Sequence, residues 1–200
     1  ATQKGAGCEK GGGNGAAVQG ELPEAMRAHF KVKEAQFYAT GVSLVLHPLS
    51  PMIPTVHANF RYFELYNEGG AVVDAWFGGG SDLTPYYLFD KDAAHFHQVQ
   101  KAACDKHGEG LYPRFKAACD RYFYNSHRGE SRGVGGLFFD YLRESEEWPL
   151  EDIHRFTQEA GEAFLPAYMP IVDARKALPY TEAQRYFQEL RRGRYVEFNL

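Results

Sequence analysis

Residues His57 to Glu64 read His-Ala-Asn-Phe-Arg-Tyr-Phe-Glu, and this octet constrains the fold more than any other stretch. Successive side chains of a β-strand point to opposite faces. As a strand, the octet sets Ala58, Phe60 and Tyr62 on one face and His57, Asn59 and Arg61 on the other. The first face is what a half-buried sheet needs. The second lines up an imidazole, an amide and a guanidinium, which core packing alone does not select. A second apolar-rich segment, Ala71 to Phe77, runs into Gly78-Gly79-Gly80-Ser81-Asp82-Leu83-Thr84-Pro85. Three glycines let a backbone take positive φ or approach a ligand closely, so a turn is expected there, with the Asp82 carboxylate at its mouth.

Further strands are expected at 37–47, 136–142 and 194–200, beside those at 56–64 and 71–77. Between them the pattern shifts to a helical period. One helix is predicted from Lys91 to about Lys106, capped by Asp90 and stopped at Gly108. Pro113 opens the next at a preferred first-turn position, with Phe115, Ala118, Cys119, Tyr122 and Phe123 as its stripe. A long helix follows Trp148-Pro149 on the stripe Ile153, Phe156, Ala160 and Phe164, and Pro166 and Pro170 should kink or divide it. A polar helix is expected from Thr181 to Arg191. The reading is one α/β domain of the α+β type over residues 21–200, built on a large, mainly antiparallel sheet. Residues 1–20 hold seven glycines and little to pack, and read as a loose tail or surface loop.

Composition narrows the function classes. A chain of 200 residues is most simply one domain. A formal charge of −4 without a basic stripe argues against a nucleic-acid partner. The aromatic share of 15% suggests a large apolar cavity or interface in addition to a core. Cys8, Cys104 and Cys119 make an odd set without metal-type spacing, which fits free thiols in a reducing compartment. No apolar run approaches the ~18 residues of a spanning helix. His29, His107 and His154 read as ordinary surface residues.

Six segments in this order resemble the oxygen-dependent coproporphyrinogen III oxidase family. They are GVSLVLHP (Gly41 to Pro48), HANFRYFE (His57 to Glu64), WFGGGSDLTPYY (Trp76 to Tyr87), the His-Phe-His of 95 to 97, HRGESRGVGGLFFD (His127 to Asp140) and RRGRYVEFNL (Arg191 to Leu200). Together they span nearly the whole chain from about Gly20. The resemblance implies helices on both faces of the sheet. It also implies oxidative decarboxylation of two propionates of coproporphyrinogen III to vinyl groups, giving protoporphyrinogen IX in haem biosynthesis with O2 as oxidant. No organic cofactor is then needed, because an electron-rich pyrrole can itself react with oxygen.

On the same resemblance His57, Asp82 and Arg61 are the catalytic candidates. His57 would donate a proton, and its side chain titrates near neutrality by type. Asp82 would meet the pyrrole N–H groups and offset developing positive charge. Arg61 has the fork that grips a carboxylate. Ser43, Asn59, Phe60, Arg61, Arg128 and Arg132 are expected at the substrate. Some relatives are thought to bind a divalent metal, which would fall on His47, His57, His97 and His127 here, without being essential. A homodimer, with no nucleic acid and no membrane span, is expected in the cytoplasm, with the mitochondrial intermembrane space as the alternative. Family members continue past the closing Asn-Leu with an Asp-Arg pair and a Gly-Gly-Arg element. Their absence here leaves two readings, a fragment of a longer enzyme or a protein incomplete as a catalyst, and it keeps a non-catalytic tetrapyrrole-binding protein as the alternative function.

Overall fold

The structure, a computed structural model, describes residues 2–5, 7–30 and 36–198. The octet lies inside a long strand, and the strands flanking it in sequence also flank it in space. In chain order the sheet comprises β1 (Thr2–Gly5), β2 (Cys8–Glu21), β3 (Gln36–Pro48), β4 (Thr55–Tyr66), β5 (Val72–Thr84) and, later, β8 (Gly135–Leu142). Their spatial order is β1-β2-β3-β4-β5-β8, with every neighbouring pair antiparallel. Short connections join β3 to β4 and β4 to β5. Between β4 and β5 the Asn67 carbonyl accepts the Gly70 N–H at 3.0 Å and its side chain accepts the Ala71 N–H at 2.9 Å. Gly70 sits there at φ +78°, a conformation that a residue without Cβ takes at little cost.

Between β5 and β8 come α2 (Asp90–Asp105), α3 (Leu111–Tyr122) and the small ribbon β6 (Tyr124–Asn125) and β7 (Glu130–Ser131). After β8 come α4 (Leu150–Glu162), α5 (Phe164–Arg175) and α6 (Glu182–Glu197), while α1 (Glu24–Phe30) joins β2 to β3. The Ala58 and Phe60 face of the sheet carries the main core. One cluster joins Ile53, Val56, Ala58 and Leu83 to Phe96, Phe164, Tyr168 and Ile171. A second joins Phe77, Leu137 and Phe139 to Phe115, Ile153 and Phe156, and Phe60 packs against both. The expected long helix divides at Ala163, just ahead of Pro166, which has no N–H for the Glu162 carbonyl. Its stripe residues Ile153, Phe156, Ala160 and Phe164 are all buried. Cys104 and Cys119 are buried free thiols, and burial pushes Cys104 up to about 12 and Cys119 upward as well. They are unreactive at neutral pH.

Four expectations are corrected. Residues 8–21 form β2 rather than a loose tail, because the edge of β3 supplies backbone partners from Cys8↔Pro48 to Glu21↔Gln36 that need no side chains. The segment 194–200 is not a strand over its described part: α6 runs through Glu197, launched by a capping box in which Thr181 accepts the Gln184 N–H. Tyr195 prefers strands, yet it is buried on the helix because its ring has partners there. Asp90 is the first residue of α2, and Phe89 occupies the cap position. Gly78 to Gly80 make no turn. They lie within β5, none has positive φ, and they serve close approach: a Cβ on Gly80 would sit 2.2 Å from the Leu137 carbonyl oxygen.

Candidate active site

Register fixes which polar groups share a face, since directly paired residues of neighbouring strands project the same way. Gly12, Val45, His57, Asp82 and Gly136 form one row across the sheet; Asn14, Ser43, Asn59, Gly80 and Phe138 form the next. A third row holds Gly41, Arg61 and Gly78. Rows lie about 7 Å apart, two residues along a strand. Five of the expected residues (Ser43, His57, Asn59, Arg61 and Asp82) are therefore on one side of three adjacent strands, over a floor shortened by glycines. Phe60 is separated from them. It points to the opposite, helix-covered face, where with Gly41, Tyr62, Phe77, His154 and Gly161 it lines an apolar groove of about 590 Å³.

Asp82 is the centre of the polar face and is only 2% exposed. His57 donates from Nδ1 to its Oδ1 at 2.8 Å, and Arg132 Nη2 donates to both its oxygens at 2.8 Å. The Arg132 guanidinium is boxed by aromatic rings, 3.7 Å from the centroid of Phe123, 4.5 Å from Tyr195 and 4.9 Å from Phe198. Its backbone is tied to the end of α3 by its N–H to Phe123 O at 3.0 Å. The next residue, Gly133, passes so close to β5 that a Cβ would meet the Leu83 oxygen at 2.3 Å. Arg132, expected at the substrate, is a buried partner of Asp82. With Nδ1 committed to Asp82, the His57 ring has Nε2 left for proton exchange, and a quarter or less of its side chain is exposed.

Arg61 sits at the rim with 40% of its side chain exposed. Nη1 donates to Asn59 Oδ1 at 3.0 Å and Nη2 to Asp140 Oδ2 at 2.7 Å. Arg128 is held in a two-bond pair with Glu197 at 2.7 and 2.8 Å. Arg128 and then His127 hold the Glu197 carboxyl down to about 2. The four histidines of the metal set have separate settings. His47 Nδ1 is 3.2 Å from Thr55 Oγ1, His57 is on Asp82, His97 is half-buried with its ring edge-on to Tyr112, and His127 is on Glu197. Among the described residues no three His, Cys, Asp or Glu side chains gather to hold an ion, so the donors present do not fit a four-histidine centre. Burial, aided by Arg192 and Lys10, pushes His47 down to about 4. His107 is not the plain surface residue expected, since it is half-buried and packs edge-on against Phe156, whereas His154 is exposed as expected and stacks on Phe77. His29 lies outside the residues whose side chains are described.

Sequence reasoning gave no part in the site to Asp140, Phe123, Tyr195 or Phe198. Asp140 carried one signal: it has the parity of Gly136 and Phe138, opposite to the buried Leu137 and Phe139.

A family model described as coproporphyrinogen III oxidase matches residues 1–200. The chain is 53% identical over 194 residues to the oxygen-dependent coproporphyrinogen-III oxidases of three Coxiella burnetii strains: Dugway 5J108-111, RSA 331 / Henzerling II and RSA 493 / Nine Mile phase I. The match covers 96% of this chain and 61% of each relative. The chain belongs to the coproporphyrinogen III oxidase family.

Proposed function

We propose that this chain carries the catalytic face of an oxygen-dependent coproporphyrinogen III oxidase, converting two propionates of the reduced tetrapyrrole to vinyl groups. In each turn the bond between the propionate chain and its carboxylate breaks and CO2 leaves. A hydride equivalent leaves the carbon next to the pyrrole, and O2 takes those two electrons with two protons as H2O2. The observation that supports this most is a buried carboxylate clamped between a histidine and an arginine, set two rows from an exposed arginine on one glycine-floored face. Asp82 supplies fixed negative charge where the ring becomes positive, and a preorganised charge of this kind is worth most in a site closed to water. His57 Nε2 handles a proton at the rim of that site. Arg61 takes a propionate, with Asn59 and Ser43 as neighbouring polar contacts. O2 is the co-substrate and no organic cofactor is required, since the pyrrole is the reductant.

A homodimer and a cytoplasmic setting complete the proposal. Two buried thiols and the lack, among the described residues, of any helix long and apolar enough to cross a membrane agree with that setting. The test is CO2 release from reduced coproporphyrinogen III with and without oxygen. Release that requires O2 supports the oxidase. Binding without release points to a non-catalytic tetrapyrrole-binding protein, and release without O2 overturns the proposed reaction.

A further inference from the structure

Strand β8 contains one residue more than β5 at one place. Phe77 pairs with Leu142 and Gly79 with Phe139, so Asp140 and Tyr141 together face Gly78. This is a β-bulge, a device that re-aims side chains at the edge of a sheet. It is also where the backbone is strained: Tyr141, at φ +52°, is the one non-glycine residue with positive φ among the described residues. A bulky residue held there costs free energy and persists when its surroundings insist on it. The Asp140 side chain supports the bulge from within, its Oδ1 accepting the Tyr141 N–H at 2.9 Å, while Oδ2 takes Arg61 Nη2 at 2.7 Å.

Gly78 completes the device. A Cβ there would lie 2.6 Å from Asp140 Oδ1 and 2.8 Å from Arg61 Nε, so only glycine lets the two side chains meet over the strand. A guanidinium has five N–H donors. Asn59 fixes one on Nη1 and Asp140 one on Nη2. Each of these nitrogens keeps a second N–H, and these donors are left for a carboxylate, which an arginine can bind through two N–H bonds at once. We infer that Asp140 is a positioning residue: through the Asp140–Tyr141 bulge it holds Arg61 so that its remaining N–H donors face a propionate of the substrate. The inference rests on the proposed reading of Arg61 as a propionate contact.

The charge of Asp140 works against an anionic substrate, whereas its acceptor geometry works for it. The two effects separate in variants of the whole protein, assayed for KM and kcat with coproporphyrinogen III in air and checked for folding by thermal unfolding. Asp140→Ala is expected to raise KM about 5-fold or more, a coupling of ordinary size for residues in contact, with a smaller change in kcat because a propionate grip acts on ground and transition states alike. Asp140→Asn keeps an acceptor and is expected to stay within about 3-fold of wild type. In an Arg61→Ala background, Asp140→Ala should add nothing further to KM. Gly78→Ala, which leaves both side chains in place but forces them apart, should behave like Asp140→Ala. The inference is overturned if Asp140→Ala leaves KM unchanged, if both Asp140 variants lower KM, or if Asp140→Ala raises KM equally with and without Arg61. Each of these is read against an active wild type, so none can be confused with failure of the proposed reaction, in which wild type itself shows no oxygen-dependent release of CO2.

Discussion

Arg132→Met isolates the buried pair at the centre of the site. Arg132 and Asp82 are 6% and 2% exposed, and one guanidinium nitrogen serves both carboxylate oxygens at 2.8 Å. Methionine roughly preserves apolar contact with Phe123, Tyr195 and Phe198 but leaves the carboxylate with His57 as its remaining side-chain hydrogen-bond partner. Breaking a buried ion pair from one side costs about 3–5 kcal/mol, since the stranded charge keeps its desolvation penalty. The lost cation–π attraction, roughly 0.5–2 kcal/mol for a desolvated pair, falls partly within that range. A domain holds about 5–15 kcal/mol in all, so the loss should be plain in urea denaturation as a lower midpoint at unchanged slope. The double variant Arg132→Met with Asp82→Asn leaves no buried charge and should recover about 2 kcal/mol or more of the single variant's loss. If Arg132→Met costs under about 1 kcal/mol, the worth of a solvent-screened pair, or if the two substitutions simply add, the pair is not the buried clamp described above.

Three further outcomes are expected. Asp82→Asn should slow single-turnover decarboxylation at least ~10-fold, from loss of a preorganised charge; a normal rate in a folded variant would make Asp82 a support for Arg132 and nothing more. Gly80→Ala brings a Cβ to 2.2 Å from the Leu137 oxygen and should lower stability by about 1–3 kcal/mol or more, whereas Gly12→Ala and Gly13→Ala, with no atom within 4 Å of the new carbon, should stay within about 0.5 kcal/mol; equal melting shifts would contradict the packing argument. His47 protonates near 4 when folded and near 6.5 when unfolded, so its contribution is complete above pH 6.5 and is lost as pH falls toward 4. His47→Gln should flatten that part of the stability profile, and an unaltered profile would place the acid sensitivity in another group.

What could be read from the chain was parity and period. Alternation in His57 to Glu64 separated the polar from the apolar face before any partner strand was known, and the core residues Ala58 and Phe60 lie where that alternation puts them. The stripe of α4 likewise located Ile153 and Phe156 in the core. The misplaced elements share a cause, which is that their partners are remote. The glycines of β2 have no propensity for a strand, and β3 supplies the ladder. Tyr195 and Val196 have propensity for one, yet a capping box fourteen residues earlier and the Arg132 ring box decide for a helix. Local preference is a weak prior against such contacts.

The same distinction explains why Asp82 stood out in the sequence while Arg132 did not stand out as its partner. A lone carboxylate after three glycines is unusual within any short window, so it stands out whether the glycines make a turn or, as here, a strand pressed between two others. An arginine in a glycine-rich loop is unremarkable until the loop is seen to return along β5, tied by the Val134 N–H to Leu83 O at 3.0 Å. That return converts a solvated cation into a buried one. It leaves Arg61 as the more exposed arginine of the polar face, with its own support coming from a bulge seventy-nine residues away. In this fold the sheet carries the acidic centre, and the loops and edges decide which positive charges remain free to meet an anion.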